Sequence, residues 1–221
     1  MTLAEMIQRC RIESNDTETP YFVSDDAYKI WLNDALVEAS IRGRLIYEKT
    51  DKAITELHYQ PHQSTAPFSP LFFEFEQVAI KISDNHYMAI PLLSPDEVIR
   101  KYGENFISPD GLPICAVQED TAIRLFPTSA MPLTIKVQGY RLAKPLANDE
   151  DEPEIHTTHH RHLCDYALMK AFSVPDAELF DPNRAALAEK YFNDYFGLPK
   201  DSDFRRLTRE DKPHINASFW V

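Results

Sequence analysis

Four histidines fall within seven residues of this chain: His156, His159, His160 and His162. Imidazole is both a metal ligand and a base that titrates near neutral pH. His156 and His160 are four apart and share one side of a helix if the helix covers both, which is a two-ligand geometry for zinc or iron. Asp165 or a distant carboxylate would have to supply the third ligand. That arrangement describes a metal-dependent hydrolase. The simpler reading is a row of exposed residues opening a helix beside Asp149-Glu150-Asp151-Glu152, whose negative charge would raise the imidazole pKa values through space. The simpler reading is preferred, because a catalytic zinc site needs three placed protein ligands.

Other chemistry is hard to assemble. The five glycines, Gly43, Gly103, Gly111, Gly139 and Gly197, are too far apart for a Walker loop or a GxGxxG turn, which need close backbone approach to phosphate. There is no GxSxG, no HExxH and no CxxC. No cofactor, metal or catalytic residue is assigned, and the chain reads as non-enzymatic.

Composition narrows the class further. The 221 residues carry 23 Lys+Arg against 35 Asp+Glu, a net charge of -12. Such a surface repels phosphate backbones, so specific nucleic-acid binding is not expected. With 43% hydrophobic residues the chain can bury one sizeable core. Neither a secretory leader nor an apolar run of ~18 residues is present, so no membrane is expected as a partner. Cys10, Cys115 and Cys164 read as reduced, buried thiols.

The elements that must position these residues follow from periodicity. Leu3, Met6, Ile7 and Cys10 predict a helix over 2–13, with Thr2 and Glu5 as its capping box. Ser24 caps a second helix over 25–46, with Tyr28, Trp31, Leu32, Ala35, Ala39 and Ile46 as its apolar stripe. Arg42, Arg44 and Lys49 gather at its end, where cations complement the helix dipole; contact with an acidic partner or DNA is the second reading. Residues 53–59 and 77–82 read as strands, the latter turning at Ser83-Asp84-Asn85 into a strand over 86–90. Ser94-Pro95 opens a short helix reaching about Tyr102. Residues 113–118, 121–126 and 133–140 read as further strands, in an antiparallel meander or small sandwich. A solvated acidic connector over 143–156 leads to helices over 157–173 and 182–196. The last has a dense apolar face of Ala188, Tyr191, Phe192, Tyr195 and Phe196, and Gly197 with Pro199 stops it. The expected fold class is α+β: a bundle of the N- and C-terminal helices (1–50 and 143–197), an inserted antiparallel β-rich middle (51–142), and an extended C-terminal arm (198–221).

This layout resembles the head-to-tail adaptor proteins of tailed bacteriophages, also called connector or head-completion proteins. The similarity runs through Trp31-Leu32-Asn33-Asp34-Ala35, Ile90-Pro91-Leu92-Leu93-Ser94-Pro95-Asp96-Glu97-Val98, Gly111-Leu112-Pro113 with Leu125-Phe126-Pro127, and Leu146 to Ile155 leading into His162-Leu163-Cys164-Asp165-Tyr166-Ala167. It departs where His156 replaces a frequent proline and in the proline-bearing segment 60–75. The resemblance implies a structural virion protein at the neck, made in the host cytoplasm. It implies a ring of twelve copies bound to the portal protein, passing viral DNA through its channel without specific binding and offering a surface to a downstream tail or nozzle protein. A tail terminator is the alternative within the virion. In that setting the arm is a candidate partner-binding segment, through Phe204, Arg205, Arg206, Arg209, Ile215, Phe219 and Trp220.

Overall fold

A computed structural model describes residues 1–84, 86–103, 111–175 and 177–199. Helix α1 (Leu3–Ser14) starts with its capping box closed: the Glu5 N–H donates to the Thr2 hydroxyl and the Thr2 N–H to the Glu5 carboxylate. Asn15, with φ of 65°, ends it in the left-handed conformation that asparagine tolerates. Helix α2 (Asp25–Gly43) is capped by Ser24, which accepts from the Ala27 N–H. It ends at Gly43, three residues before the expected 46, because Arg44 turns left-handed. Ile46 therefore lies past the helix and packs against the core from the following segment.

Helices α5 (Thr157–Ser173) and α6 (Pro182–Phe196) complete the helical unit, with Asp181 capping α6 through the N–H groups of Asn183 and Arg184. Leu3, Met6 and Cys10 of α1, Leu32, Leu36 and Ala39 of α2, Leu163 and Ala167 of α5, and Phe192 and Phe196 of α6 form one apolar core. The α6 stripe divides. Ala188, Phe192 and Phe196 are buried, whereas Tyr191 and Tyr195 are exposed, because an i, i+3, i+4 face cannot also hold residues one position to its side.

Between α2 and α5 the chain is β-rich: β1 (Tyr47–Glu48), a four-residue helix α3 (Lys52–Thr55), β2 (Glu56–Tyr59), β3 (Thr65–Pro67), β4 (Phe72–Ser83), β5 (His86–Ile90), helix α4 (Pro95–Tyr102), β6 (Cys115–Gln118), β7 (Ala122–Phe126) and β8 (Leu133–Arg141). Residues 53–59 are thus not one strand. Asp51 caps Ala53, and the first half winds into α3 before the chain extends into β2. β4 and β5 form the expected hairpin, β4 beginning five residues earlier than its alternation suggests; Asn85 of the turn lies outside the described residues. Ser94 and Glu97 close a second capping box at α4.

The meander does not form. β7 pairs with both β6 and β3 in a three-stranded sheet, while β8 leaves them for the centre of a five-stranded sheet ordered β1-β8-β4-β5, with β2 also on β8. β8 is the longest strand of the second half, and its Ile135 and Val137 are fully buried. Both sheets feed one apolar cluster containing Tyr59, Phe75, Val78, Ile123, Leu125 and Ile135. The connector 143–156 keeps its acidic run largely exposed, as expected, but is also anchored to the helical unit. Ala143, Leu146 and Ile155 enter the helical core, and the carbonyls of Asp149 and Asp151 accept from the first N–H groups of α1, Ala4 and Leu3.

Candidate functional site

The histidines diverge once α5 is placed. His156 is the N-cap, its Nδ1 accepting from the Thr158 N–H. His160 turns inward and is 1% exposed; its Nε2–H donates to the Ile155 carbonyl (3.0 Å), and its Nδ1 accepts from the Met1 amine (3.0 Å). His159 Nδ1 lies 3.0 Å from the Tyr195 hydroxyl. His162 stacks on Tyr195 with ring centroids 3.6 Å apart, donates to Asp165 (3.1 Å) and accepts from Arg161. His159 and His162 both meet Tyr195 while His156 and His160 turn elsewhere, and among the described residues no group of three or more His, Cys, Asp or Glu stands together to hold a metal. The expected rise in imidazole pKa is reversed at His159: burial lowers it, and the neighbouring His156, His160 and His162 lower it further. Asp165 moves the other way, raised by burial against the opposing pull of His162.

Arg42 and Arg44 at the end of α2 are engaged within the chain. Arg42 pairs with Glu38 (2.9 Å), donates to the Asn193 side chain (2.7 Å) and to the Gly197 carbonyl (3.1 Å), and lies over the Phe192 ring. It therefore ties the C-terminal end of α6 to α2. Arg44 grips Glu74 of β4 with two donors, at 3.0 and 2.5 Å, joining the helical unit to the sheet. Lys49 is exposed beyond β1.

Two polar junctions escaped the sequence reading. Asn33 of α2 donates to the Leu146 carbonyl (3.1 Å) and accepts from the Leu146 N–H (2.7 Å). Glu48 of β1 accepts from the N–H groups of Lys49, Thr50 and Asp51, from the Thr50 hydroxyl and from Arg141. Burial raises its pKa, but these donors outweigh it and bring it to about 2. Arg141 continues to Glu154 (2.7 Å), so strand β8 is fastened to the connector. A lone Asn or Glu in a strand or helix gives no periodic signal; only the Asn-x-Ala spacing of the resembling family marked Asn33.

The described surface holds an open cleft of about 400 Å3 between α1, α5 and α6, lined by Arg9, Arg161, His162, Asp165, Tyr191 and Tyr195. Arg9 lies 2.7 Å from Glu13, Asp165 accepts from His162, and Asp194 also lines the cleft. No nucleophile sits beside a free base there. The candidate arm residues, Phe204, Arg205, Arg206, Arg209, Ile215, Phe219 and Trp220, lie outside the described residues.

Residues 1–213 match the SU10 adaptor protein family. The chain belongs to that family. These are phage head-to-tail adaptors, so the match agrees with the resemblance seen in the residues themselves. No curated protein matches the chain. The match to the adaptor family spans every described element from α1 to α6 and stops before Ile215, Phe219 and Trp220. Among the described residues no helix is long and apolar enough to cross a membrane.

Proposed function

We propose that this chain is a structural virion protein of the phage neck, an adaptor that assembles as a twelve-membered ring under the portal, continues the DNA channel and presents the attachment surface for the next tail or nozzle component. The single observation that carries this reading is the match to the adaptor family across residues 1–213. The geometry supports it. Polar side chains that could have done chemistry are tied into junctions between elements, Arg42 to α6, Arg44 to β4 and Arg141 to Glu154. Such cross-links stiffen a subunit that must hold its shape under load. A net charge of -12 suits a wall that DNA passes without adhering. In this reading the helical unit and the β-rich middle form two layers of the ring, and the arm after Gly197 reaches the portal or a neighbouring copy. Among the described residues the four histidines do not gather into one metal-holding group, so the adaptor reading is preferred to the hydrolase.

Electron microscopy of the purified chain, alone and mixed with its portal protein, tests the proposal. Rings that sit coaxially on the portal are the expected result. A chain that neither binds portal nor decorates the portal vertex of capsids overturns it.

A further inference from the structure

Two of the three cysteines meet inside the helical core. Cys10 of α1 and Cys164 of α5 are both fully buried, and both carry free thiols. Cys10 follows Met6 by one helical turn on the buried side of α1, which also presents Leu3 and Ile7. The Cys164 thiol donates to the Met6 carbonyl at 3.7 Å. In an α-helix that same carbonyl receives the Cys10 N–H, so the Cys164 sulfur lies against the turn of α1 that ends at Cys10. There the two thiols hydrogen-bond to each other. On α5 the next turn of the buried side carries Ala167, whose small side chain lets the two helices approach.

A buried cysteine ordinarily serves as a small apolar side chain. That part needs no second sulfur beside it. Ala35, Ala39, Ala167 and Ala171 fill tight positions in the same core without one. Cys115 is the ordinary case: it is fully buried in β6, in a separate cluster with Leu93, Val98 and Val117. A disulfide needs facing Cβ atoms on neighbouring backbones, and of the three cysteines only Cys10 and Cys164 share a core cluster.

The surroundings keep the pair reduced until something moves. The hydrogen bond to Cys164, followed by burial, pushes the Cys10 thiol well above its usual pKa, and the thiolate is the form that attacks. Neither sulfur reaches solvent.

We propose that Cys10 and Cys164 form a redox staple: two thiols in a reducing compartment, one disulfide between α1 and α5 in an oxidising one. The oxidant is a low-molecular-weight disulfide, admitted when α1 parts transiently from α5. One cysteine, as its thiolate, attacks that disulfide, breaks its S–S bond and releases a first small thiol. The second cysteine, as its thiolate, attacks the mixed disulfide, forms the Cys10–Cys164 bond and releases the other small thiol. Two electrons pass to the oxidant, and the two cysteine protons end on the released thiols. The bond closes most of the chain into one loop, which restricts the unfolded state, and it fixes the first helix to the C-terminal half of the core. The staple is independent of the adaptor reading, since both thiols belong to one chain.

The full chain, purified reduced, is incubated for a day with excess oxidised glutathione, well below its melting temperature. It is then acid-quenched, unfolded, alkylated and digested, and its peptides are weighed without reduction. The expected product is a monomer with Cys10 and Cys164 joined and Cys115 alkylated. It should melt at least about 5 °C above the reduced chain, and dithiothreitol should reverse the gain. Cys115→Ala should leave that gain intact, whereas Cys10→Ala and Cys164→Ala should each abolish it. Three alkylated cysteines, a disulfide through Cys115 in place of the pair, glutathione adducts that never resolve into the link, or a linked chain that melts no higher each overturn the proposal. Should an alanine variant misfold, wild type decides alone, because the linked peptide and the melting shift are both read on it. Portal binding plays no part in either readout, so the adaptor reading stands or falls separately.

Discussion

Asn33 presents both ends of its amide to the backbone of Leu146, 113 residues away in sequence. Leu146 is buried, so truncating Asn33 leaves a backbone donor and an acceptor with no partner and little water. Asn33→Ala should cost ~1–3 kcal/mol in chemical denaturation, and Asn33→Asp should not rescue it, because a carboxylate cannot donate to the Leu146 carbonyl. Glu48 makes a pH-dependent contribution. Its folded pKa, about 2, lies below the ordinary value of 4.5, so the folded state favours the charged form. The stability it contributes is present above 4.5 and is lost as the pH falls through 4.5 toward 2. Glu154, also held low by Arg141 and the Lys144 N–H against the opposing effect of burial, adds to the same slope. Glu48→Gln should flatten the fall of melting temperature across that acid range; an unchanged slope would show that the donors around Glu48 contribute nothing to it.

Among the elements, β8 organises the middle of the chain. It pairs with β1, β2 and β4, and Gly139 lies where β1 and β4 both approach it, opposite Glu48 and Phe75. A Cβ at Gly139 would stand 2.1 Å from the Glu74 carbonyl oxygen and 2.7 Å from the Phe75 Cα, both backbone atoms that cannot rotate away. Register shifts in β4 on either side of Glu74–Phe75 place that backbone against β8. Gly139→Ala should therefore destabilise the chain by at least about 2 kcal/mol, measured as a lower denaturation midpoint. The helices follow local rules more closely. Thr2, Ser24, Ser94 and Asp181 cap the helices expected to start beside them, because a capping side chain acts within three residues of itself.

At the scale of the whole molecule, the chain joins a helical core made from both ends of the sequence to a two-sheet unit made from its middle. The segment after Gly197 carries five basic and four acidic side chains, near neutral beside a body that holds the remaining acidic excess. In the proposed adaptor it can approach partners that the body repels. Truncation after Lys200 should abolish portal binding while leaving the melting temperature within a degree or two, since the described core lies before that point; portal binding by the truncated chain would remove the arm from the mechanism. The starts of α1, α2, α4, α5 and α6, the β4–β5 hairpin, the burial of the cysteines and the adaptor family were determined by the sequence itself, because capping, periodicity and the order of short motifs act over few residues. The separation of β8 from β6 and β7, the acidic connector laid across the start of α1, and the divergence of His156 and His160 were decided only by tertiary structure. In each case the deciding partner lies far along the chain: Glu74 and Phe75 for Gly139, Leu3 and Ala4 for the carbonyls of Asp151 and Asp149, and Met1 for His160. Of the four histidines in seven residues, one became a cap, one a buried brace, one a stack on Tyr195 and one a hydrogen-bonding neighbour of the Tyr195 hydroxyl, because ring direction is set by what packs around a helix and not by spacing along it.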